Sequence, residues 1–153
     1  MALNEELWGA DLRLLRNLER QTDRQRGADL STTQRSTTGE VDLERLQGLD
    51  NLRQALLLRF LTPRGELAIL GHSTYGSRLF ELIGELNTET NRNRAKLFVL
   101  QALAEEPRVE KVLRVDVTTQ RGNPTQINIA IDLHPVGSAT TLNLVFPFFL
   151  DGA

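Results

Sequence analysis

Ile127-Asn128-Ile129-Ala130-Ile131-Asp132-Leu133 places a branched apolar residue at every second position and a small or polar residue between them. A period of two is the signature of a β-strand with one buried face. Leu113-Arg114-Val115-Asp116-Val117-Thr118 repeats the pattern upstream, and Leu142-Asn143-Leu144-Val145-Phe146-Pro147-Phe148 repeats it downstream. The connections, Arg121-Gly122-Asn123-Pro124 and His134 to Ala139, are short enough for an antiparallel meander. Pro147 confines the last strand to an edge or an irregular position.

Before Pro107 the period is helical. Leu49, Leu52, Leu56 and Phe60 recur at three and four until Thr62-Pro63-Arg64-Gly65, which predicts a helix over Leu49–Leu61. Gly71-His72-Ser73-Thr74-Tyr75-Gly76 reads as turns, and Ser77 to Ile83 as a short helix ended by Gly84. A further helix is expected over Glu89–Ala104, capped by Thr88 or Asn87, with Ala95, Phe98, Val99, Ala102 and Leu103 on its buried side. The fold class is therefore α+β, with an antiparallel sheet of three or more strands packed on about three helices over residues 49–153. Leu7, Trp8, Leu12, Leu15 and Leu18 suggest an amphipathic helix within residues 1–20. Residues 21–48, rich in Ser, Thr, Gln and Arg up to Glu40, suggest an extended polar arm that orders against a neighbour or serves as a linker.

With 153 residues the chain suits one domain. A net charge of −2 supplies no basic field for nucleic acid. All but two of its 18 basic residues are Arg, the exceptions being Lys96 and Lys111, and Arg favours fixed contacts at protein interfaces. Cysteine is absent, which removes thiolate metal sites and cysteine nucleophiles. The charged residues among the first 18 argue against a signal peptide, and no run approaches the roughly 20 apolar residues of a membrane span. The expectation is a protein assembled in the cytoplasm without membrane insertion.

Chemistry is sparse. His72 and His134 have no companions at metal-ligand spacing, Ser73 lacks a nucleophile-elbow frame, and the glycines do not follow a phosphate-binding order. No catalytic residue, metal or cofactor is expected. A cell-wall hydrolase would need two facing carboxylates, whose separation a sequence does not reveal. The informative cluster is Glu105-Glu106-Pro107-Arg108-Val109. Pro107 extends the chain, so Glu106 and Arg108 project from the same side at a helix-to-strand corner. They either satisfy each other or present a polar fork to another subunit. Phe146, Phe148 and Phe149, on a nearly continuous apolar strand, are candidate partner-facing residues.

The succession Leu61-Thr62-Pro63-Arg64-Gly65-Glu66, then Gly71 to Gly84, then Glu105-Glu106-Pro107-Arg108-Val109 and alternating strands resembles the baseplate wedge and sheath-initiator family of contractile phage tails. That family includes the type VI secretion baseplate wedge subunit. The N-terminal Asp11-Leu12-Arg13-Leu14-Leu15-Arg16 stretch and the Leu142 to Leu150 ending are similar to the form in extracellular phage-tail-like contractile injection systems. The resemblance implies a non-catalytic structural subunit in a particle's baseplate. Its Glu106, Pro107 and Arg108 would contact the core bundle of other wedge proteins, and its sheet would accept strands from the first sheath ring, with inner-tube or spike proteins as further neighbours. A lysozyme-like hydrolase and an unrelated binding module are the alternatives.

Overall fold

The computed structural model describes residues 6–14 and 30–151. Its centre is a three-stranded antiparallel sheet of β5 (Val109–Gln120), β6 (Asn123–Pro135) and β7 (Leu142–Phe149), with β6 in the middle. The alternation of β6 fixes the core. Ile127, Ile129, Ile131 and Leu133 are all fully buried, and Ile129 lies between Val117 of β5 and Phe146 of β7. On the opposite face Arg114, Asp132 and Asn143 form a polar network, with Arg114 Nε 2.8 Å from Asp132. One face is thus dry and the other wet, as antiparallel sheets allow.

Strand β5 departs from the simple alternation. Register shifts between Val112 and Arg114, so Val112 packs on the core while Leu113 is 45% exposed. A bulge puts two residues opposite one and reverses the facing of what precedes it.

Two helices cover the dry face. Helix α1 (Gly48–Leu61) buries Leu52, Leu56, Leu57 and Phe60, and the Phe60 ring stacks on Phe146 at 5.3 Å. Helix α2 (Glu89–Ala104) begins at Thr88, whose hydroxyl accepts the Asn91 amide, and buries the five residues expected of it. The Ser77–Ile83 segment is shorter than expected: a 3₁₀ turn spans Leu79–Leu82, and Gly84 follows with φ +91°. Ser77 is held instead by its hydroxyl on the Phe60 carbonyl. A second 3₁₀ turn, Ala68–Leu70, was not signalled by the sequence.

The N-terminal stretch differs most from expectation. Residues 6–8 are helical, but Gly9 turns at φ +70° and Ala10–Leu12 becomes strand β1. Leu15 and Leu18 lie outside the described residues, as do residues 21–29. Side chains of α1 explain the change: Asn51 Nδ2 donates to the Trp8 carbonyl and Gln54 Nε2 to the Leu12 carbonyl, both at 2.8 Å. Trp8 itself enters the core and donates its indole N–H to Val136 O.

The described part of the arm, residues 30–48, forms a ribbon with residues 10–13. Strand β1 pairs with β4 (Arg45–Gln47), and β2 (Thr32–Gln34) pairs with β3 (Val41–Leu43), both antiparallel. Glu44 joins the two pairs, donating its amide to Ser31 O and accepting the Arg13 amide. Both partners lie on one edge of Glu44, so residues 10–13 and 31–34 form one interrupted strand opposite 41–47. Its inner half is anchored by buried Leu46; its outer half is exposed on both faces, including Val41 at 70%.

Gly76 holds the crossing between α1 and the turns that follow. Ser77 N bonds to Thr62 O and Arg64 N to Ser77 O, both at 2.9 Å. At Gly76, φ is +106°, and an added Cβ would stand 2.5 Å from Thr62 O and 2.9 Å from Pro63 O. Gly76→Ala should therefore cost about 3 kcal/mol or more in chemical denaturation. Gly71→Ala, at φ +88° with open space around it, should cost about 1–2 kcal/mol. Equal losses at the two positions would refute the close-approach argument.

Candidate functional site

The Glu105–Arg108 corner is built where α2 ends. The Glu105 and Glu106 amides still bond to Ala102 O and Leu103 O, then Pro107 ends the helix and β5 starts at Val109. Glu106 turns inward and is 3% exposed. Arg108 grips its carboxylate by two parallel bonds, Nε to Oε1 at 2.7 Å and Nη2 to Oε2 at 3.1 Å. The Arg108 amide adds a third at 3.3 Å.

A further cation reaches the same carboxylate from α1. Arg59 Nη2 lies 3.0 Å from Glu106 Oε2, and Arg59 is itself 8% exposed. Its guanidinium lies over the Tyr75 ring, 4.6 Å from the centroid, an attraction strengthened by partial burial. Beside them, Arg64 and Glu105 pair at 2.7 Å on the surface. Thus Pro63-Arg64-Gly65, Tyr75-Gly76 and Glu105-Glu106-Pro107-Arg108, separate in sequence, meet at one corner.

The sequence-derived candidates are distributed unevenly around this corner. Glu106 and Arg108 do share one side and bond to each other. Phe146 and Phe148, considered for partner contact, are core residues, because the even-numbered side chains of β7 face the helices; Phe149 is half-buried and Val145 is exposed. Arg59 and Trp8 were missed as members of the corner. The signal for Arg59 was present: a lone charge inside Leu56-Leu57-Leu58-Arg59-Phe60-Leu61 has to find a buried partner. His72 and Ser73 sit exposed in the turn, and among the described residues no three His, Cys, Asp or Glu side chains gather as metal ligands.

The charges decide what Glu106 can do. Burial pushes its carboxyl upward, but the Arg108 hydrogen bonds and the charges of Arg108 and Arg59 outweigh that, so it titrates below the ordinary 4.5. It is a buried anion held by two arginines, poorly suited to donate a proton at neutral pH. Tyr75 moves the other way, raised chiefly by burial.

No protein-family model matches this chain, and no curated protein matches it. Among solved structures, a Geobacter sulfurreducens protein described as a "putative tail lysozyme" superposes with a TM-score of 0.55 at 23% identity. The match covers 63% of this chain and 86% of that one. At that identity the likeness is one of fold.

Because Glu106 is depressed, its contribution is complete above about pH 4.5 and is lost as pH falls through its lower folded value. Glu106→Gln leaves two arginines on a neutral amide and should destabilise the protein by about 3–5 kcal/mol at pH 7. Its unfolding free energy should also fall less steeply than the parent's between pH 5 and acid, by denaturant titration at each pH. Parallel pH curves for the two proteins would show that Glu106 is not the linked group.

Proposed function

We propose that this chain is a structural subunit of a contractile, phage-tail-like machine, seated in the baseplate wedge where it joins the wedge core bundle to the first sheath ring. The observation that carries the reading is the convergence of Pro63-Arg64-Gly65, Tyr75-Gly76 and Glu105–Arg108 at one corner, since these are the elements by which the sequence resembles the wedge family. The shared fold with a protein described as tail-associated supports the coarser half of the proposal. The open sheet edges support the finer half: among the described residues β5 and β7 each have one unpaired side, a surface on which an added strand gains main-chain hydrogen bonds.

The description of that neighbour also names a lysozyme, which keeps a hydrolase as the second reading. A glycosidase acid needs a raised carboxyl facing a second carboxylate roughly 5–9.5 Å away. Glu106 is lowered and held by Arg59 and Arg108, and Glu105 is paired with Arg64, which favours the structural reading. No peptidoglycan clearing is expected in a turbidity assay, and clearing abolished by one Glu→Gln change would reverse the assignment. A tagged chain should copurify with tail-like particles, whose neighbouring peptides would include sheath and wedge proteins; recovery as a free protein from particle-producing cells would sink the proposal.

Strand β7 offers a sharper test. Leu150 N bonds to Thr125 O on the β6 side, so even-numbered amides face β6 and odd-numbered ones face outward. Pro147 fits because its missing N–H lies on the open side. Val145→Pro should therefore melt close to the parent, within about 1 kcal/mol, yet fail to start sheath if a sheath strand pairs there. Normal sheath assembly by this folded variant would rule out strand addition at β7.

A further inference from the structure

Two guanidiniums and one carboxylate leave the buried corner with one positive charge too many. Arg59 is enclosed beneath Tyr75, so the surplus is presented by Arg108, whose side chain is 28% exposed. A guanidinium has two edges that can grip a carboxylate. Glu106 occupies the Nε–Nη2 edge of Arg108. Among the described residues, the Nη1–Nη2 edge meets only the Trp8 carbonyl, 3.5 Å from Nη1, the outer limit of a hydrogen bond.

Arg108 lines a half-open cleft of about 360 Å³ together with Trp8, Ala55, Leu58 and Tyr75, with Asn51 and Gln54 already committed to the backbone of the N-terminal segment. The Tyr75 hydroxyl meets no hydrogen-bonding partner among the described residues. Asp11 stands on the rim, its Oδ1 taken by the Leu12 amide, and it makes no ion pair with Arg108 among the described residues. A cation on a partly desolvated wall, rigidly held and with a vacant planar fork, matches one chemistry: a carboxylate arriving from outside.

We propose that this cleft receives an aspartate or glutamate side chain of a partner subunit, whose carboxylate takes the Nη1–Nη2 edge of Arg108 and balances the Arg59–Glu106–Arg108 cluster. This rests on the reading of the chain as an assembly subunit, and it adds the chemistry by which the corner selects its neighbour. Within a largely polar lining, Ala55 and Leu58 give the stem of the acidic side chain an apolar place to rest, and Arg59 keeps Glu106 from being drawn away when the second carboxylate binds.

The free protein tests the cleft without any particle. Guanidinium resonances of the labelled full chain are followed during titration with sodium acetate, against sodium chloride at equal ionic strength. Arg108 should shift saturably with acetate while exposed Arg53 and Arg114 do not, and Asp11→Asn should lower the half-saturating acetate concentration about two- to fivefold. Equal responses at all three arginines would overturn the site. The assembled state tests the partner: Arg108→Lys puts an amine at the same place, and a zero-length carbodiimide joins it to any carboxylate in ion-pair contact. Peptide mapping should find position 108 joined to an Asp or Glu of another subunit. Joining only to Glu106 or Asp11 of its own chain, in a protein recovered within particles, would refute the acidic partner while leaving the wedge reading intact. Absence from particles would refute the wedge reading, and the acetate titration would still judge the cleft.

Discussion

The buried carboxylate of Glu106 is the constraint on which the rest of this corner depends. Removing an ion from water costs several kcal/mol, and only well-placed opposite charges and hydrogen bonds recover it. Here the compensation comes from three directions: Arg59 in the last turn of α1, Arg108 at the entry to β5, and the Arg108 amide. Tyr75 closes over Arg59, and Gly76 lets the chain pass close enough to Thr62 and Pro63 to bring Tyr75 there. Each piece is in place because the others are. The corner therefore behaves as a unit whose members are not additive.

Around that fixed corner the surfaces are left open. The sheet has a helix-covered face, a polar face and, among the described residues, two unpaired edges, one of which carries a proline whose missing donor costs nothing where it stands. The ribbon of residues 10–13, 31–34 and 41–47 extends outward with its outer half exposed on every side. A pair of three-residue strands has little independent stability in water. An architecture that spends its burial on one rigid polar corner and leaves strand edges unpaired suits a protein that is completed by neighbours, which is the role proposed for it.

The sequence by itself determined the sheet, both helices and the placing of Glu106 and Arg108 on one side of the chain, because each depends on local periodicity or on residues two apart; that the two bond to each other is a finding of the structure. Ile127 to Leu133 carries its period of two through an uninterrupted central strand, Thr88 caps the helix it precedes, and Pro107 forces the corner. Tertiary structure decided what depends on distant groups. Leu113 was displaced by a bulge whose extra residue leaves no mark in composition. Leu12 joined a strand because Asn51 and Gln54, some forty residues away, captured the backbone around it. Phe146 and Phe148 looked the same in sequence whether they faced a partner or the core; Phe60 and the helices above them settled it. Arg59 went unread although it is a lone charge in an apolar run, and that its partner is Glu106, 47 residues on, was fixed only when α1 and α2 packed on the same sheet, since burial and charge compensation are properties of the assembled core.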